Sequence, residues 1–153
     1  MVLPGGMFAP ASATIDLAAR REVEQRAVAA VLAAEDAAGW DAEDMNDVQR
    51  NHPGYDVRSI RRGSEAEPGS VRFIEVKGRI AGSTTVTVSR NEILTSLNEP
   101  ENWVLALVEV KPDGGEELRY LFNPFESQRD GMGFGVTSVT FDWNRLWEEG
   151  RQH

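Results

Sequence analysis

The stretch from Gly54 to Gly78, G-Y-D-V-R-S-I-R-R-G-S-E-A-E-P-G-S-V-R-F-I-E-V-K-G, decides how this 153-residue chain is read. Two strand-like runs, Tyr55 to Ile60 and Val71 to Lys77, flank a turn region, Gly63 to Ser70, that contains Pro68 and Gly69. Such a pattern predicts a hairpin. Alternation along the second run sends Glu75 and Lys77 to one face and Ile74 and Val76 to the other. With the turn centred between residues 66 and 67, Asp56 falls opposite Lys77; a shift of one residue on each strand sets it opposite Glu75. In either register two carboxylates and an ammonium occupy one cross-strand neighbourhood.

The flanking sequence supplies the frame for this hairpin. Asp16 to Ala38 is rich in Ala, Leu, Glu and Arg, with Val23, Ala27, Ala30, Val31 and Ala34 at helical spacing, and Gly39 follows as a cap. Asp41 to Arg50 is acidic and without clear period, and Asn51-His52-Pro53-Gly54 signals a turn. A third strand is expected at Thr84 to Ser89, and Ser89-Arg90-Asn91-Glu92 matches a capping box that starts a short helix through Leu97. Trp103 to Val110 is almost continuously apolar, as a strand buried on both faces would be. Leu118 to Phe122 and Val136 to Phe141 complete the strands, and Trp143 to Glu149 forms a last helix. The order predicts an α/β or α+β domain with one mixed sheet flanked by helices, covering residues 16–153. Residues 1–15 read as a loose leader or the cut edge of a larger protein.

Composition narrows the chemistry. With no cysteine, the chain has no disulfides, thiolate metal sites or cysteine nucleophile. There is no run of about 18 apolar residues and no secretory pattern, so a soluble, intracellular (cytoplasmic) protein without membrane contact is expected. The formal charge of −9 opposes general binding to nucleic acid. The charge is uneven, however: Arg50 to Arg79 holds seven basic and four acidic residues, net +3, which leaves −12 elsewhere. Only two of the 16 basic residues are lysines, Lys77 and Lys111.

A pair of carboxylates beside a lysine suits Mg²⁺, which binds through one or two carboxylates and keeps waters for substrate phosphate and nucleophile. An adjacent lysine can orient the water or offset charge developing on a phosphate in the transition state. A compact ammonium with a tunable pKa suits that role better than a guanidinium. On spacing alone, a cross-strand salt bridge on a solvated face is the commoner origin of such a set.

Several segments together resemble the restriction-endonuclease-like superfamily with the PD-(D/E)xK signature. More closely, they resemble the domain named after the C-terminus of the protein NO VEIN, often found at the ends of helicase-type proteins. The matching segments are V-E-Q-R-A-V-A-A-V, G-W-D-A-E-D, P-G-Y-D-V-R-S, I-E-V-K-G, V-T-V-S-R-N-E-I and W-V-L-A-L-V-E-V, between Val23 and Val110. Tyr55 stands where the name-giving proline would be, and Arg79 where a small hydroxyl residue is expected. The resemblance implies a nuclease fold in which Asp56 and Glu75 hold Mg²⁺ or Mn²⁺, the Val76 carbonyl adds a ligand, and Lys77 positions the attacking water. It further implies that Glu24 on the first helix supports the metal shell, with Glu22 as the competing candidate.

On this basis the expected function is Mg²⁺-dependent phosphodiester hydrolysis on DNA, with Arg58, Arg61, Arg62 and Arg79 contacting the nucleic acid. The expected partners are DNA and a helicase or ATPase region of the same or another protein; a homodimer would suit double-strand cutting. The rival function is a non-cleaving module that uses the same fold to bind nucleic acid or dock on a protein. The string Glu109-Val110-Lys111 repeats the E-x-K pattern but runs into a Pro-Asp-Gly-Gly turn without a hairpin partner, and reads as a strand end. His52 reads as an exposed turn residue. Asn91 and Glu92 are candidates to line the site, although capping already accounts for Glu92. Gly131 to Gly135 lacks both phosphate-loop spacing and a lysine.

Overall fold

The computed structural model describes residues 5–50, 54–64, 67, 69–80 and 82–152, with side chains from Leu17 onward. His52 and most of the Asn51–Gly54 turn lie outside the described residues.

Helix α1 (Gly5–Ala37) is the long helix of the sequence pattern, and it starts ahead of Asp16, within the stretch read as a loose leader. Ala27 and Val31 on its apolar stripe are fully buried, and Gly39 ends it in the left-handed region at φ +91°. The main sheet has six strands: β1 (Trp40–Asp44), β2 (Val57–Arg61), β3 (Val71–Ile80), β5 (Trp103–Val110), β6 (Glu116–Phe122) and β8 (Arg151–Gln152), adjacent in that order. Only the β3–β5 pair is parallel. A second sheet pairs β4 (Thr85–Ser89) with β7 (Ser138–Asp142). The crossover from β3 to β5 runs through β4 and helix α3 (Arg90–Asn98), and α4 (Trp143–Glu149) precedes β8.

Two cores cover the two faces of the main sheet. Val57, Ile74, Val104, Ala106 and Val108 face α1, while Trp103, Leu105 and Leu107 face α3, α4 and the small sheet. Strand β5 is therefore buried on both sides, as its apolar run requires. On β3, odd residues face the α3 side and even residues face α1.

The mixed α+β architecture agrees with the sequence. Three details differ. The acidic segment after Gly39 contains edge strand β1 and a one-turn helix, α2 (Met45–Val48). Trp40, Ala42 and Asp44 of β1 turn inward while Asp41 and Glu43 are exposed, so three acidic residues in five hid the strand while protecting the edge. The strand after the glycine-rich stretch pairs with β4 rather than joining the main sheet, giving two sheets instead of one. The two-residue β8 has no apolar signal that could have revealed it.

At Gly78, α1 crosses β3 so closely that a Cβ there would lie 2.8 Å from the Ala27 Cβ. Close approach, rather than backbone conformation, demands glycine at this position. Replacing Gly78 by Ala forces the helix away from the strand and is expected to destabilise the fold by about 1–3 kcal/mol. Urea denaturation of Gly78→Ala measures this; an unchanged midpoint would show that α1 is not held against β3 there.

Candidate active site

The hairpin register determines which groups meet. Val57 pairs with Ile74, which sets Asp56 opposite Glu75 and rules out the register that faced it with Lys77. Ladder pairing between β2 and β3 stops at this point, and β3 continues to Ile80 with its β2-side edge uncovered. The Asp56 N–H donates to the Ile74 carbonyl at 2.8 Å, and Asp56 Oδ2 accepts from the Val76 N–H at 2.9 Å. An aspartate carboxylate thus replaces the next rung of the ladder. Because a strand residue presents its N–H and C=O to the same side, the Val76 carbonyl points toward the same open edge as its N–H.

The turn before Asp56 is built around Gly54. Its φ is +90°, a Cβ would lie 2.7 Å from Thr95 Oγ1, and its carbonyl accepts a buried 2.9 Å bond from Trp103 Nε1. The ring of Tyr55 packs on Phe73 at 4.8 Å. The G-Y-D sequence is thereby clamped between α3 and β5, which fixes where Asp56 enters β2.

Glu75 and Lys77 project to the α3 side of β3. Lys77 Nζ lies 3.2 Å from Glu75 Oε2 and 3.1 Å from Glu92 Oε1. Glu92 serves two purposes at once. Its Oε1 accepts from the Ser89 N–H at 2.9 Å to complete the capping box, and it also holds the lysine. Capping alone therefore did not exhaust this residue. Its second role follows from the crossover that lays the start of α3 beside β3, which no local pattern reports. Asn91 is exposed and forms no part of this cluster.

The carboxylates are strongly coupled. Burial, together with the neighbouring Asp56 and Glu92, pushes Glu75 well above the usual carboxylate range. Burial also raises Asp56, although the Val76 N–H and a hydrogen bond with Glu75 oppose it. Burial disfavours charge on Glu92 too, but Lys77 and the Ser89 N–H outweigh it and hold that carboxylate below its ordinary value. Burial likewise opposes the charge on Lys77, yet Glu75 and Glu92 more than offset it and keep the ammonium charged. Glu75 is thus the carboxyl of the cluster most disfavoured as an anion. Two carboxylates pressed together in this way are a ready donor pair for a cation.

Asp56, Glu75, Val76 and Lys77 line a cleft of about 670 Å³, and Glu24, exposed on α1, lines its opposite wall. Asp44 also reaches the cleft while capping α2 through a 2.9 Å bond from the Asn46 N–H. Among the described residues, no three His, Cys, Asp or Glu side chains form a metal-holding group by themselves. The donor set instead comprises two carboxylates and a backbone carbonyl with positions left for water and phosphate, which suits Mg²⁺ or Mn²⁺.

Most of the arginines are otherwise engaged. Arg61 pairs with Glu67 at 2.9 Å, and Arg62 pairs with Asp36 and Asp41 at 2.6 and 2.7 Å. Both sit at the hairpin tip, roughly 15–20 Å along the strand from Asp56. Arg79 lies over Trp143 at 4.7 Å, with Glu109 at 3.6 Å and bonds to Asn144 and the Ser83 carbonyl. Glu109 of the second E-x-K string is thus a structural partner of Arg79. Arg58, on the Asp56 face by alternation, makes no ion pair among the described residues.

The fold is restriction-endonuclease-like, of the PD-(D/E)xK kind. The chain is similar to Hjc, a Holliday junction resolvase from the archaeal hyperthermophile Archaeoglobus fulgidus, with TM-score 0.51 and 12% identity over 84% of this chain and 89% of that one. At that identity the likeness speaks for the fold. The family profile described as Protein NO VEIN, C-terminal, matches residues 23–121, and the chain belongs to that family. No curated protein matches it.

The strained acid pair has a measurable consequence. Raised carboxyl pKa values mean that the folded state binds protons more readily than the unfolded state, so the pair costs stability as pH rises through its folded pKa values. Asp56→Asn preserves the acceptor for the Val76 N–H and removes the clash. In EDTA near pH 7 it is expected to raise the melting midpoint by about 2–4 °C. That gain should shrink as the pH is lowered and the wild-type pair takes up protons. Thermal melts at neutral and at lower pH check this; an Asn variant less stable at neutral pH would contradict it.

Proposed function

We propose that this domain is a metal-dependent nuclease that hydrolyses phosphodiester bonds in DNA. The observation that carries the proposal is the meeting of Asp56, Glu75 and Lys77 in an open cleft, at the point where β2 stops covering β3. Asp56, Glu75 and the Val76 carbonyl would hold Mg²⁺ or Mn²⁺. When bound, the ion would supply Lewis-acid polarisation of the phosphate and a more acidic water. Lys77, steadied between Glu75 and Glu92, donates to the attacking water or to a phosphate oxygen and meets negative charge as it develops. Its two carboxylate partners restrict where the ammonium can move, which favours a single productive position.

Glu24 lines the same cleft and would support the hydration shell of such an ion. Arg58, which makes no ion pair among the described residues, would engage a neighbouring phosphate. The other arginines of the basic segment are largely neutralised by internal partners. Unaided affinity for DNA should therefore be weak and salt-sensitive, and a helicase-type partner or neighbouring region would supply the remainder.

Calorimetric titration with Mn²⁺ and a cleavage assay on labelled DNA test the proposal together. The wild type should bind the ion and cut. Asp56→Ala should lose both properties, and Lys77→Ala should lose at least about 100-fold in rate while still binding metal. Metal-independent DNA binding with no cutting would instead identify a non-cleaving module.

A further inference from the structure

Phe134 is 99% exposed, the most exposed large apolar side chain among the described residues. It stands between Gly133 and Gly135 at the tip of a turn closed by a 3.1 Å bond from the Val136 N–H to the Gly133 carbonyl. The loop is anchored on both sides. Met132 packs against the core on the α3 face of the sheet, and the Arg90 N–H donates to the Thr137 carbonyl at 2.9 Å. The Cβ positions of the flanking glycines meet nothing within 4 Å, and neither glycine has a left-handed φ. Crowding therefore does not explain them; they leave both sides of the ring open. A phenyl ring held in water forgoes the stabilisation that burial against a partner would bring.

Its surroundings indicate what covers it. The Arg90 guanidinium lies 5.7 Å from the ring centroid. Arg90 is the first residue of α3, and Glu92, two residues on, holds Lys77. Through Arg90, Glu92 and the lengths of their side chains, Phe134 stands roughly 25 Å or less from Lys77. A strand whose phosphate occupies the cleft reaches that far within a few nucleotides. An exposed aromatic face paired with an arginine is the combination that stacks a base and holds its phosphate.

We propose that Phe134 and Arg90 form a stacking site for an unpaired base of the strand whose phosphate lies at Asp56, Glu75 and Lys77. The site makes the protein prefer single-stranded or unpaired regions over intact duplex, in which every base face is already stacked. It rests on the nuclease reading and adds a specificity element to it.

The test measures binding of a fluorescein-labelled single-stranded oligonucleotide and a blunt duplex of the same sequence, by anisotropy in Mn²⁺-free buffer, with the full chain. Phe134→Ala, at a loop position that packs on nothing buried, should weaken single-strand binding about 10-fold and leave the duplex unchanged. Phe134→Trp should restore it, with quenching of its indole fluorescence on binding. Equal affinity of wild type and Phe134→Ala for the single strand, or equal losses on both probes, overturns the stacking site. If the wild type cuts DNA while Phe134→Ala behaves identically, only this inference falls; if it neither binds nor cuts nucleic acid, the nuclease reading falls with it.

Discussion

The early end of the β2–β3 ladder is the constraint on which the remainder depends. After Val57 meets Ile74, the β2 side of β3 has no strand to pair with, although β3 itself runs on to Ile80 beside β5. Unpaired backbone groups at a sheet edge need partners. One of these, the Val76 N–H, takes the Asp56 carboxylate. Satisfying the backbone thus brings an aspartate against Glu75, opens a cleft beside the strand and turns the Val76 carbonyl toward it.

Keeping two acids and a lysine in that position requires support from both faces of the sheet. On one side α1 lies directly on Gly78, which brings Glu24 to the rim of the cleft. On the other, α3 holds Gly54 through Thr95 and holds Lys77 through Glu92. Elsewhere the molecule avoids such tension. Glu35, fully buried on α1, receives bonds from Arg72 and the Tyr120 hydroxyl, and Arg72 lies over the Trp40 ring at 3.9 Å. Buried charge in that network is compensated, whereas at the cleft two carboxyls remain raised against each other, a mark of sites built to receive a ligand.

The protein's acidity has a local meaning as well. The net positive hairpin segment is largely cancelled by its own ion pairs at the tip and along the sheet, so its charge is less available than the count implied. Among the described residues, Arg58 makes no ion pair, whereas the Lys77 ammonium is held between Glu75 and Glu92.

Local patterns in the sequence determined much of the architecture. Alternation on β3 put Glu75 and Lys77 on one face, the continuous apolar run of β5 marked the central strand, and Ser89 to Glu92 started α3, because each signal depends on neighbours a few residues apart. Hairpin spacing set Asp56 in the neighbourhood of that pair, and family resemblance added Glu24 as a candidate. Tertiary structure alone decided the register that faces Asp56 with Glu75, the second duty of Glu92, the internal neutralisation of Arg61, Arg62 and Arg79, and the exposure of Phe134. The reason is physical: each of these depends on where a crossover or loop lays one element against another distant in sequence, and side-chain periodicity carries no record of that contact.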